Sequence, residues 1–169
     1  MITKKFVPVG QGGFFIANSP AKGSKKLFAP VNYIRLASTF HPSRLHPVTK
    51  RYQAHLGVDF ELPEGAPILA AKSGRVVRFG YQKAAGNYIV LAHGNGIETY
   101  YNHLKSFAGN IRKGAAIKAG QVIGSNGCTG YCTKPHLHFA LKKNGKMVDP
   151  LPFMKPYAAP AEKLIAARF

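Results

Sequence analysis

Acidic side chains are scarce in this chain. Only 6 Asp plus Glu stand against 24 Lys plus Arg, a formal net charge of +18. Such a field favours polyanionic partners, whether nucleic acid or an anionic cell envelope, and charge by itself does not choose between them. The basic residues are scattered, with no recognisable basic helix and no aromatic RNA platform, which argues against a nucleic-acid binder. The same scarcity makes Asp59 conspicuous, as one of two Asp in the chain. Long apolar runs are also missing. No window approaches the roughly 18 apolar residues of a membrane span. At the start, Pro8, Gly10, Gly12 and Gly13 break up the apolar patch that follows Lys4 and Lys5, so no secretory signal is read there. There is no internal repeat, and there are only two cysteines, Cys128 and Cys132.

What is present suits one domain of short strands. The 169 residues are 46% hydrophobic, enough for a core. The 18 Gly and 12 Pro are spread along the chain, as expected for strands joined by turns rather than long helices. Residues 1–30 are Gly- and Lys-rich and read as an extended arm packing on the domain. Val31–Phe40 reads as a first strand, followed by a Pro-rich loop in which His41 and His46 each precede Pro. Strands are expected at 68–71, 74–80, 88–93 and 97–104, with two short ones within 112–124. Gly94-Asn95-Gly96 and Asn144-Gly145 mark hairpin turns. His93 is read as a turn residue beside the first. The tail 152–169 includes a short helix candidate at 161–168.

Three stretches carry side chains with chemistry. In His136-Leu-His-Phe-Ala-Leu141, residues 137, 139 and 141 alternate with the two histidines, so a strand would bury the first set and present the imidazoles on its other face. In Tyr52-Gln-Ala-His55-Leu-Gly-Val-Asp59, a straight strand would hold His55 and Asp59 about 13 Å apart. Gly57 offers a bend between them. In Ile97–Leu104, alternation places Thr99, Tyr101 and His103 on one face. Two His and one carboxylate match the rule for zinc hydrolases, which leave a fourth position to water. Further imidazoles beside the ion could take a proton or hold an oxyanion. Spacing does not say which of His136 and His138 is the ligand.

Five segments together resemble the lysostaphin-type, or LytM-like, zinc metallopeptidases: Tyr52–Phe60, Gly86–Gly96, Tyr100–Leu104, Gly120–Gly124 and Pro135–Phe139. The resemblance covers about residues 31–151 in the family's order. It implies an all-β fold, a small antiparallel sheet with a narrow groove, and hydrolysis of peptide cross-links in bacterial peptidoglycan. By position it implies that His55, Asp59 and His138 hold one Zn²⁺, that His136 is the general base, and that His103 positions water or stabilises the intermediate. Tyr101 is expected to help hold that intermediate. Residues 40–51 look most like the Gram-negative envelope members, which mostly cut the D-alanyl to diaminopimelate bond. A periplasmic or secreted monomer working on peptidoglycan, held against anionic envelope polymers, is the matching expectation. The other reading in the same family is a non-catalytic module that binds cell wall or activates an amidase. Such modules typically lack zinc ligands, whereas this chain has the set.

The chain departs from the family pattern at two places. Lys134 stands where a Gly is usual, bringing a cation beside the groove, and Ala140 where a Glu is common. Cys128 and Cys132 are expected to form a local disulfide that stiffens the loop before His136, in keeping with an oxidising compartment. A rival structural zinc site on Cys128, Cys132, His136 and His138 has unusual spacing, since one strand cannot easily wrap four ligands.

Overall fold

The structure, a computed structural model, describes residues 6–9, 13–16, 26–31, 35–45 and 50–154. His46, most of the expected arm and the helix candidate at 161–168 lie outside these residues. The strands are β1 (Phe6–Val9), β2 (Gly13–Ile16), β3 (Arg35–Ser38), β4 (His41–Leu45), β5 (Tyr52–His55), β6 (Val58–Glu61) and β7 (Pro67–Leu69). They continue as β8 (Gly74–Gln82), β9 (Gly86–Ala92), β10 (Ile97–Phe107), β11 (Ala116–Ile117), β12 (Val122–Asn126), β13 (His136–Lys143) and β14 (Lys146–Val148). A single 3-10 turn at Leu151–Phe153 is the only helical element among the described residues.

The main sheet runs β11-β8-β9-β10-β13-β6-β3, with β12 joining β10 to β7 and β14 flanking β13. All of its pairs are antiparallel. β1 with β2, and β4 with β5, form separate two-stranded ribbons. The β4–β5 ribbon replaces the loop expected around His41. Pro42 has no N–H to give, but a two-stranded ribbon leaves half its backbone groups facing away from the partner, where proline is tolerated.

Hydrophobic alternation explains the core. Leu137, Phe139 and Leu141 are all within 1% of full burial, as are Val58 and Phe60 on the neighbouring strand. Both hairpin turns adopt left-handed backbone at Asn-Gly, with φ of 50° and 70° at Asn95 and Gly96 and 48° and 81° at Asn144 and Gly145. Leu27 and Val31 lie on either side of the expected boundary at residue 31, yet both enter this core. Leu27 N donates to Phe153 O, and Phe28 N to Ala71 O, so the segments 26–31 and 151–154 are bound into the same body.

One buried polar chain crosses that core. Ala71 N–H donates to the Tyr101 hydroxyl at 2.8 Å, which lies 3.0 Å from Thr99 Oγ1, itself 2.7 Å from His93 Nε2. His93 Nδ1 donates to the Ser73 carbonyl at 2.9 Å, so its Nε2 must accept from Thr99. Every member is then satisfied, and His93, which lies in the turn between β9 and β10 as expected, also works there as a half-buried tie. Burial, with a smaller effect from the Lys72 charge, pushes the His93 pKa below its ordinary 6.5 despite the Ser73 bond. The neutral ring therefore contributes stability that is complete above about 6.5 and is lost as pH falls through the lower folded value. Urea midpoints should fall with pH in that window, and His93→Gln should flatten the dependence. Thr99→Val, which strands Tyr101 and His93, should cost about 1–3 kcal/mol in urea unfolding.

Candidate functional site

Strand register assembles one polar rung on the face opposite the core. Asn102 lies opposite His138, His138 opposite Asp59, and Asp59 opposite Ser38, across β10, β13, β6 and β3. Directly opposed residues share a face, so these four side chains stand in a row. The β4–β5 ribbon adds His55 from its last residue. Between ribbon and β6, Gly57 brings the backbone against β13. A Cβ there would fall 2.7 Å from the His138 ring and from the Phe139 carbonyl, so close approach explains the glycine.

The three expected ligands meet. Asp59 Oδ1 lies 2.8 Å from His138 Nδ1 and 3.1 Å from His55 Nε2, and the two ring nitrogens are 3.2 Å apart. His55 Nδ1 is 2.7 Å from the Thr39 carbonyl, which can only accept, so in the neutral ring Nε2 carries a lone pair. A lone pair there would face a carboxylate oxygen, so either a proton on Nε2 or a metal ion must lie between them. A tetrahedral ion with bonds of about 2.0–2.1 Å has donor–donor edges of roughly 3.3 Å. The donor set and its spacing fit a divalent ion. Burial opposes the charge on Asp59, but hydrogen bonds from His138 and His55 and their charges outweigh it and hold the carboxyl well below its usual range. On His55, burial likewise opposes the charged form, while Asp59 and the Thr39 carbonyl raise the pKa overall.

Two more imidazoles face the same groove, whose volume is about 470 Å³. His136 Nδ1 donates to the Lys134 carbonyl at 2.8 Å, and its Nε2 sits 3.9 Å from Asp59 Oδ1. His103 Nδ1 donates to the Thr129 carbonyl at 2.8 Å, with its ring centre 4.7 Å from that of His136. Burial lowers the His103 pKa to about 4, and the charges of His136 and His138 add to this despite the Thr129 bond. His103 is thus neutral near pH 7, with Nε2 an acceptor.

His103 reaches the groove because β10 contains a bulge. Tyr101 pairs with Ile89 and Leu104 with Asn87, so two residues of β10 oppose one of β9. His103 has φ of 63°, uncommon outside glycine, and its N–H is held by the Ala85 carbonyl at 2.8 Å. Asn102 and His103 therefore both line the groove.

The bulge also corrects one expectation. Tyr101 does not share a face with His103. It is fully buried, its hydroxyl is engaged by Ala71 and Thr99, and burial pushes its pKa up to about 12. Nothing in this geometry lets it reach a substrate. Cys128 and Cys132 form a disulfide. Lys134 pairs with Glu61 at 3.1 Å rather than standing free beside the groove. Arg44, Asn102 and Tyr131 line the groove without having been singled out from sequence. Of these, only Asn102 had a signal, its place before His103.

An antiparallel β domain whose groove holds two His and one carboxylate beside two more imidazoles is built as metal-dependent hydrolases are. The chain belongs to peptidase family M23, whose model matches residues 53–150. It is 42% identical over 135 residues to the peptidoglycan DD-endopeptidase ShyA of Vibrio cholerae, covering 80% of this chain and 31% of ShyA. A solved zinc-containing peptidase from Vibrio cholerae superposes with a TM-score of 0.72 at 34% identity, over 86% of this chain and 45% of that one. The catalytic domain of lysostaphin from Staphylococcus simulans gives 0.61 at 36%, over 71% and 91%. The chain thus spans about a third of the length of ShyA.

Asp59→Ala and His138→Ala should each lower divalent-metal affinity by more than about 100-fold, beyond the effect usual for losing an outer-shell partner. Competition with a chromogenic chelator measures it, and unchanged affinity in both would remove the metal assignment.

Proposed function

We propose that this chain is a zinc-dependent endopeptidase that hydrolyses peptide cross-links of bacterial peptidoglycan, at the D-alanyl to diaminopimelate bond. The observation that carries this reading is the convergence of three donor atoms within 3.2 Å of one another, with two further imidazoles facing the same groove. Kinship with a protein named peptidoglycan DD-endopeptidase supports the substrate class.

His55 Nε2, Asp59 Oδ1 and His138 Nδ1 would hold the ion. When bound, zinc acidifies water to a pKa of about 7 and polarises a carbonyl. The protein's part is to place that water and move its proton. His136 Nε2 is the proton acceptor, since its other nitrogen is committed to the Lys134 carbonyl and it stands nearest the ligand cluster. His103, neutral and with Nδ1 committed to Thr129, offers a second acceptor that orients the water. An acceptor cannot stabilise an oxyanion, so water placement is the better account of His103. As the C–N bond breaks, a protonated His136 can pass its proton to the leaving nitrogen, so that it departs as an amine.

The reading sets the protein outside the cytoplasm, in the periplasm or secreted, working as a monomer. Its charge of +18 favours retention on anionic envelope polymers. A non-catalytic role in wall binding or amidase activation is disfavoured by the complete donor set.

Purified protein with one equivalent of zinc should convert cross-linked to uncross-linked muropeptides in sacculi, identified by mass after the glycan strands are cut with a muramidase, and a chelator should stop it. Intact sacculi under both conditions would end the proposal. His136→Ala should cut kcat by about 100-fold or more while keeping the metal, within the 10²–10⁴ range of general acid–base catalysis.

A further inference from the structure

The loop between β12 and β13 consists of two halves held in different ways. Its first half is pinned to the sheet. Thr129 Oγ1 accepts from Asn87 N at 2.9 Å and donates to Leu104 O at 2.8 Å. Tyr131 N donates to Ala84 O, and a Cβ on Gly130 would fall 2.3 Å from Gly86 N. The second half, residues 133–135, has no backbone–backbone hydrogen bond among the described residues. The Lys134 side chain pairs with Glu61, but that pair is exposed, and such pairs hold little. Yet this loose half carries the Lys134 carbonyl, which takes the His136 Nδ1–H.

The Cys128–Cys132 bridge ties the base of the pinned half to the start of the loose half. Cys132 Sγ also lies 2.9 Å from the Lys134 carbonyl oxygen and 3.5 Å from His136 Nδ1. Cys132 lines the groove, so a small thiol can reach it.

We propose that the disulfide is a positioning element for His136, holding the Lys134 carbonyl where it orients that ring, so that a dithiol reductant lowers turnover without releasing the metal. The proposal rests on the role given to His136 above. In the reduction, one thiolate of the dithiol attacks a bridge sulfur and the S–S bond breaks. The dithiol then closes to its own disulfide, having delivered two electrons and two protons to give two cysteine thiols. Cys132 thereby gains an S–H, a new donor beside the carbonyl that His136 uses. His103 serves as an internal control, because its acceptor, Thr129, belongs to the pinned half.

The test compares oxidised protein, dithiol-reduced protein and the double variant Cys128→Ser/Cys132→Ser, each loaded with zinc. Reduction and the double variant should each lower kcat on a cross-linked muropeptide by about 10–100-fold, the scale of losing an outer-shell partner. KM should stay within about twofold, and bound metal should stay at its oxidised level. Ring ¹⁵N NMR should show the His136 Nδ1–H tautomer in the oxidised form and its loss or averaging in the other two, with His103 unchanged. Unchanged His136 signals and kcat would overturn the proposal. Equal movement of His103 and His136, or loss of metal with activity, would overturn it in favour of general loosening. If no form cuts muropeptide yet His136 alone changes on reduction, the positioning role stands and the hydrolase reading falls.

Discussion

The pairing of β13 with β6 in a single register constrains everything else at this site. With His138 opposite Asp59, a nitrogen and a carboxylate oxygen come within 2.8 Å on one face while Leu137, Phe139, Val58 and Phe60 fill the core on the other. A slip of one residue would exchange those faces, burying two imidazoles and a carboxylate and exposing the apolar row. The hydrophobic cost of that exchange is several buried side chains at about 1.5–3 kcal/mol each. The core therefore enforces the register, and the register sets the donor geometry.

Proton placement follows from a second, simpler device. His55, His103 and His136 each spend Nδ1–H on a backbone carbonyl, those of Thr39, Thr129 and Lys134. A carbonyl cannot donate, so each ring in its neutral form has its lone pair on Nε2. Three tautomers are thus set by main chain, which no side-chain substitution removes directly. The loops that carry those carbonyls matter as much as the imidazoles. This is why the bulge of β10 and the bridged loop before β13 belong to the site although neither supplies a donor to the ligand cluster.

Much of this was legible in the chain. The period-two pattern of Leu137, Phe139 and Leu141 specifies which face His136 and His138 occupy, and the Asn-Gly pairs specify the hairpins. The Cys128 and Cys132 spacing led to the local bridge. What could not be read was parity. Counting alternation from Thr99 to His103 puts Tyr101 on the same face as His103, but the extra residue of the bulge reverses the count after Tyr101. A bulge is defined by what lies opposite on the partner strand, and that is not local information. The β4–β5 ribbon was hidden in a similar way, because Pro42 reads as loop when only one edge of a ribbon needs its donors. His93 does lie in a turn, but its side-chain partners could not be read, because Ser73, just before β8, and Thr99, in β10, meet it only in the folded sheet.

The separation of the β4–β5 ribbon from the main sheet has a mechanical consequence. Two donors of the cluster belong to the sheet and the third to the ribbon. An ion seated among them would act as a rivet between two bodies that share no ladder among the described residues. Its binding energy is then partly docking energy for the ribbon, and stripping the ion would loosen a flap while leaving the sheet intact. The affinity for the ion and the stiffness of that wall would rise and fall together.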